Sequence, residues 1–326
     1  MQCGIFYQLP CAPQQSMQTR YRQTLEQIVY ADALGFDSVW LAEAHFNPSF
    51  SVMPRPLTVA AALAAQTTRI RLGIGVSQLP LHHPLHIAEE AATVDMLSDG
   101  RLEFGAGRGT WNQNFETFGV PWEERSQRLE EALDIIERAW TSPRFSYHGD
   151  YYDFDAVEVV PKPVQQPCPP IHIAANSPST AVFTGRRGYR VLMAAPIHPW
   201  PDDFLGHLKL YRDTCQEVHG SPTAGGVSAL FFVYPGNDRA DVRAQVAESL
   251  AHHPIGAGLD YAVAEERMAI YGHPDECIAK IRSIQDKIQC DQLLCALNPG
   301  GLIPHDTMLV ALRRLAEEVL PAIRDL

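Results

Sequence analysis

Strand-like and helix-like segments alternate eight times along this chain, and few folds accept that rhythm. The strand-like runs are short and apolar: Gly4 to Leu9, Ser38 to Glu43, Ile70 to Val76, Leu102 to Ala106, Pro170 to Ala175, Arg190 to Ala195, Ser228 to Tyr234 and Asp291 to Leu297. Between them lie stretches with apolar residues at helical spacing: Tyr21 to Leu34, Pro56 to Thr67, Leu85 to Leu97, Trp122 to Thr141, Pro178 to Arg187, Asp203 to Val218, Asp238 to Leu250 with Pro274 to Lys287, and Asp306 to Ile323. In the first helix Tyr21, Leu25, Ile28, Val29 and Ala33 share the predicted buried face. In the fourth, Leu129, Leu133, Ile136 and Trp140 do. Eight such units predict an α/β fold, a single (β/α)8 TIM barrel spanning residues 1–326. A doubly wound open sheet is the alternative, but no shift in composition marks the second domain it would need at 326 residues. Two interruptions are expected as insertions: a hairpin near 145–154 turning at Gly149-Asp150, and an irregular segment or lid near 251–271.

Composition narrows the partners. With 26 basic and 38 acidic residues the net charge is −12, a poor match for nucleic acid or an anionic membrane. No apolar run reaches the ~18 residues of a membrane span. The start, MQCGIFYQLP, lacks the pattern of a secretion signal. The seven cysteines form no Cys-x-x-Cys pair. Together these features predict a cytoplasmic protein with reduced thiols.

In a barrel of this kind, chemistry sits where the strands end. After the fourth strand, the run Arg101-Leu-Glu-Phe-Gly-Ala-Gly-Arg-Gly-Thr-Trp111 sets three glycines around Arg108. Glycine permits sharp turns and close backbone approach, and a guanidinium is a fork of donors suited to phosphate. After the fifth strand, Ser177 reads as a helix cap with Pro178 at the first helical position and Thr180 at the third. Free N–H groups at such a start favour an anion. Strands four and five are barrel neighbours, so Arg108 and this helix start converge on one phosphate site. Period-two alternation puts Glu43 and His45 on one side of the second strand. They are an acid/base pair, a ligand clamp, or a buried hydrogen bond fixing a loop. His82 and His83, before Pro84, orient a loop or start a helix. The histidines lack the carboxylate pattern of a metal centre, and no metal is expected.

Residues 35–46 (GFDSVWLAEAHF), 56–109 with the pieces LPLHHP, LSDGR and GRG, 169–181 (PPIHIAANSPSTA) and 290–301 (CDQLLCALNPGG) resemble the bacterial luciferase-like flavin-dependent monooxygenases over nearly the whole chain. The resemblance implies a (β/α)8 barrel that takes reduced FMN from a separate, transiently associating flavin reductase. It implies O2 addition to the reduced ring, giving a peroxide that oxygenates a small organic substrate. Matched by position, Arg108 and Thr110, with Asn176, Ser177 and Thr180, are implied phosphate contacts. Gly75 and Val76 match a non-prolyl cis peptide under the flavin ring. His45 and Glu43 are the implied catalytic residues. The family often carries two adjacent histidines after the second strand; here the run is Glu43-Ala44-His45, so light emission from a long-chain aldehyde is not implied. A homodimer is implied through the alanine-rich helices 56–67 and 84–97. The rival readings are a deazaflavin-dependent dehydrogenase of the same fold, a catalytically idle flavin-binding barrel, and a metal hydrolase. Substrate choice is assigned to segments 46–55, 111–120, 196–204 and 251–271.

Overall fold

The computed structural model describes residues 1–175, 177–195, 202–254 and 261–326. The eight apolar runs form β1 (Gln2–Tyr7), β2 (Ser38–Leu41), β3 (Arg71–Ile74), β4 (Leu102–Gly107), β5 (Ile171–Ala174), β6 (Arg190–Ala194), β7 (Val227–Pro235) and β8 (Gln292–Ala296). Each pairs in parallel with the next. The register Gln2↔Gln292 to Ile5↔Cys295 joins β8 back to β1 and closes the barrel. Closure explains the continuous apolar character of these strands: one face looks into the barrel and the other is covered by helices.

Those helices are α1 (Met17–Leu34), α2 (Pro56–Ala64), α3 (Pro84–Leu97), α4 (Arg125–Thr141), α5 (Pro178–Arg187), α6 (Asp202–His219), α7 (Arg239–His252), α8 (Pro274–Ile288) and α9 (His305–Arg314). Their ends follow local chemistry. Ser16 caps α1, its Oγ accepting from Thr19 N at 3.1 Å, and the helix stops at Gly35 in the left-handed region, φ 90°, where glycine has no Cβ to clash. The second helix ends at Ala64, three residues short of the expected Thr67. There the Arg101 guanidinium donates to the carbonyls of Ala64 (3.0 Å), Thr67 (3.1 Å) and Ile70 (3.0 Å), stitching the helix end to β3.

Three expectations need correction. The buried face of α1 consists of Arg20, Thr24, Gln27, Ile28, Ala31 and Asp32, whereas Tyr21, Leu25 and Val29 are half-buried and Ala33 is exposed. Asp32 faces inward because it ties down another segment: its carboxylate accepts from the backbone N–H groups of Thr68, Arg69 and Ile70 at 2.9, 3.1 and 2.7 Å. Segment 251–271 is not irregular where it is described. A short helix, Tyr261–Arg267, leads into a strand, Ala269–Gly272, paired in parallel with the outer end of β7. That end, Val233 to Pro235, extends past the part of β7 paired with β8, and an unpaired edge needs a partner. Finally, Ala60, Ala64, Ala88, Ala91 and Ala92 are buried within the chain. In the first of the two helices implied to meet a partner, Ala62 and Ala65 are exposed and Ala61 is half-exposed.

The hairpin forms as expected, Phe145–His148 against Asp153–Val157. The Glu131 carboxylate of α4 holds its turn, accepting from Tyr152 N at 2.9 Å. Leu129, Leu133, Ile136 and Trp140 are buried as the spacing predicts.

The lower barrel interior is polar. Glu103 accepts from Arg71 Nε and from His172 Nε2, the latter at 2.5 Å. Ser228 donates to Gln292 (3.1 Å), and Gln292 donates to Ser38 (2.9 Å). Burial pushes the Glu103 carboxyl up, but His172 and Arg71 more than reverse this and bring it to about 2. Burial pushes His172 down, so the charge balance is carboxylate against guanidinium, with His172 a neutral donor. Glu103→Gln leaves the Arg71 charge without its counter-ion and should lower stability by about 3–5 kcal/mol, read from urea unfolding at neutral pH. A carboxyl depressed in the folded state stabilises above its unfolded value and loses that contribution as the pH falls. The gap between wild type and variant should therefore narrow as pH drops from 4.5 towards 2.

Candidate active site

The carboxyl ends of the strands surround a cavity of about 1020 Å³, part of it open to solvent. Its floor is small and apolar: Phe6, Ala42, Ala174, Leu192, Ala194, Leu230, Phe232 and Ala296. Polar groups are few and sit towards the sides, as in sites that hold a largely apolar ligand in a fixed orientation.

One wall comes from β3. The strand stops at Ile74, the Gly75–Val76 peptide is cis, and the chain resumes at Ser77-Gln78 beside Ala106 and Gly107. This wall explains two of the three glycines around Arg108. A Cβ at Gly105 would lie 1.9 Å from the Ile74 carbonyl oxygen, and one at Gly107 would lie 2.6 Å from Val76 Cγ2. They make room for the neighbouring strand, not for a ligand. Only Gly109, with φ 81°, is the turn glycine that the motif suggests.

Arg108 and the start of α5 do meet. Arg108 Nη2 donates to Ser177 Oγ at 3.1 Å, and Nη1 donates to Ser126 Oγ at 3.2 Å. Ser177 caps the helix, accepting from Thr180 N at 3.3 Å. Thr110 stands exposed on the cavity rim. Asn176 lies outside the described residues. Burial and then the charge of Arg125 lower the Arg108 pKa, and no carboxylate among the described residues pairs with it. Arg125 lies over the Trp122 ring, 3.9 Å from its centroid. Its Nη1 donates to the Trp122 carbonyl at 2.8 Å. Arg108, at a helix start with hydroxyls for partners and Arg125 near enough to lower its pKa, forms a cradle for an anion. Arg125 and Ser126 escaped the sequence reading because they open α4, far along the chain from Arg108; the basic and hydroxyl residues in Glu124-Arg125-Ser126 were the available signal.

The cavity also carries a carboxylate, Glu43. Because β2 ends at Leu41, strand alternation does not carry Glu43 and His45 together; the loop does, turning at Phe46 with φ 57°. Glu43 Oε1 accepts from His45 Nε2 at 2.9 Å and from His82 Nε2 at 2.7 Å. Its Oε2 accepts from Ser77 Oγ (3.3 Å) and Gln78 N (3.2 Å). Burial pushes the carboxyl up, but the two histidines outweigh it and hold it at about 2. Glu43 lines the cavity. His45 is buried behind it, its ring against Phe46 and Phe118 with centroids 5.7 and 5.0 Å away. Ala44 is buried and donates its N–H to Met53 O at 3.0 Å. His83 starts a helix: its Nδ1 accepts from Leu85 N at 3.3 Å at the start of α3. His82 belongs to the site instead, which its sequence position did not reveal.

Sequence reading also missed His253 and Gln8, both lining the cavity and 2.8 Å apart through Nε2 and Oε1. Burial, then the charge of His252, pushes His253 down to about 4, so it is neutral at ordinary pH. Phe50 packs on Trp111 (4.7 Å) and His253 (5.5 Å). No helix among the described residues is long and apolar enough to cross a membrane.

Residues 1–288 match the family model of the luciferase-like monooxygenases. An uncharacterized protein of Sinorhizobium fredii is 33% identical, over 95% of this chain and 93% of its own. The oxygenase component of the flavin-dependent trigonelline monooxygenase of Acinetobacter baylyi is 26% identical, over 96% of this chain and 92% of its own. Monooxygenase RslO1 from Streptomyces bottropensis superposes with a TM-score of 0.90 at 28% identity, over 98% of this chain and 99% of its own. Other relatives are named as F420-dependent dehydrogenases. With the whole barrel shared and the family model matched over most of its length, the chain belongs to the luciferase-like monooxygenase family.

Proposed function

We propose that this protein is an FMN-dependent monooxygenase that uses reduced flavin and O2 to oxygenate a small organic substrate. The observation that carries this reading is the convergence of Arg108, Ser126 and Ser177 beside an apolar cavity. A half-buried guanidinium whose described partners are hydroxyls is built for an anion. The residues present fit FMN: Arg108, Ser177 and Thr180, with Thr110 on the rim and Arg125 nearby, would hold the phosphate. The apolar floor beside Gly75 and Val76 takes the ring. Bound reduced flavin supplies the activation of O2 and the transfer of one oxygen atom.

The chain's own part is to position, to keep water out and to move a proton. The apolar floor excludes water. Glu43 presents a carboxylate at the cavity wall, and His45 Nε2 holds a proton 2.9 Å behind it. A proton passing through this pair reaches the cavity without a mobile side chain. In this reading, as the family resemblance implies, a separate reductase supplies the reduced cofactor. The outward Ala61, Ala62 and Ala65 of α2 and its flank make that side the proposed homodimer surface.

Oxygen uptake and product formation with reduced FMN, screened over small organic substrates, test the function. Hydride transfer with F420 and no oxygen uptake would assign the chain to the dehydrogenase branch instead; flavin binding without turnover would leave an idle barrel. Arg108→Ala should weaken reduced FMN by about 1.5–3 kcal/mol in an anaerobic fluorescence titration, with the melting curve little changed. His45→Asn should lower kcat by ~100-fold while FMN affinity holds; equal turnover would make His45 structural. Light scattering at micromolar concentration should give twice the 36.2 kDa chain mass, and a monomer would rule the dimer out.

A further inference from the structure

Two imidazoles donate to one oxygen of Glu43, and only one of them is free to change its proton count. A carboxylate oxygen offers only acceptors, so His45 Nε2 (2.9 Å) and His82 Nε2 (2.7 Å) each bring a proton to it. The rings differ at their other nitrogens. His82 Nδ1 lies 3.0 Å from Arg55 Nη1. A guanidinium only donates and stays charged, so His82 Nδ1 accepts and carries no proton. His82 is thereby a neutral ring with its single proton on Nε2. No described residue donates to Nδ1 of His45.

Arg55 is itself held in place. It sits between Pro54 and Pro56, with φ −135° and ψ 79° ahead of α2, a backbone restricted on both sides by proline. Its Nη2 donates to Glu90 of α3 at 2.6 Å. The remaining groups around His82 are its neighbour His83 and Tyr152 of the hairpin turn, whose hydroxyl donates to the His82 carbonyl at 3.3 Å. The chain Glu90–Arg55–His82–Glu43–His45 thus runs inward from the surface.

We propose that Arg55 is a positioning residue: it fixes the proton of His82 on Nε2, so that His45 is the one imidazole on Glu43 able to take up and release a second proton. The role in turnover rests on the Glu43–His45 reading above; the lock itself does not. The same lock bears on the cluster of Glu43, His45 and His82, whose ligand-type atoms lie within 4.8 Å of one another. A protonated Nε2 has no lone pair for a cation, so Arg55 keeps three residues of metal-ligand type as a proton site.

The test uses apo protein with 15N-labelled histidine, compared with Arg55→Met, which removes the donor, and Arg55→Lys, which restores one. Both Arg55 and Glu90 side chains are about two-fifths exposed, 40% and 38%, so neither change opens the core. His82, assigned by its loss in His82→Gln, should show Nε2–H with unprotonated Nδ1 in wild type and in Arg55→Lys. In Arg55→Met it should shift to a mixture of tautomers, and kcat with reduced FMN should fall about 10-fold with KM little changed. A proton on Nδ1 of His82 in the wild-type protein, or an unchanged tautomer in Arg55→Met, overturns the lock. Failure of the proton-transfer reading shows elsewhere, as full turnover in His45→Asn with the wild-type ring spectrum of His82 intact.

Discussion

A carboxylate buried at the top of a barrel costs several kcal/mol unless donors surround it. Glu43 is surrounded: His45 and His82 serve one oxygen, Ser77 and Gln78 the other. Those donors come from three places, the loop after β2, the resumed end of β3 and the turn before α3. One charge thus fixes the relative position of the loops that wall the cavity. Remove any donor and the loops lose their common anchor as well as a hydrogen bond.

The cavity lining carries both signs of charge. Arg108 meets the start of α5, with Arg125 close by, and the Glu43 anion also lines the cavity. Most of the remaining lining is apolar. A ligand with an anionic group and a flat, weakly polar body matches such a lining. The break in β3 lets the chain resume at Ser77-Gln78 against β4, where Gly105 and Gly107 leave the room it needs.

The barrel was legible because each unit obeys a local rule. Apolar runs of strand length alternate with helical spacing, and eight such units fit a closed barrel. Arg108 and Ser177 were legible for a related reason: a strand end and a helix start have fixed places in such a barrel. Less legible were residues whose role depends on distant partners. Arg20, Thr24 and Gln27 lie inward on α1 although hydropathy places them outside; Gln27 meets His305 of α9, and the same face carries Asp32, which holds the chain ahead of β3. Two glycines of Gly105-Ala-Gly107 look like ligand-facing residues and are spacers for β3. His82 looks like a helix-start histidine and belongs to Glu43.

By itself the sequence determined the order of elements, the parallel closed sheet and the end of the barrel where chemistry sits, since these follow from periodicity and connection rules acting over short stretches. It also put Glu43 and His45 two residues apart, though the loop after β2, not strand alternation, brings their side chains together. The tertiary structure alone decided which other groups touch that pair. Arg55, His82 and Glu90 come from separate loops and helices, and their meeting depends on how α2 and α3 pack on the barrel. A proton's place on an imidazole is set by the donor or acceptor at its other nitrogen, and that neighbour lies 27 residues away from His82 in the chain.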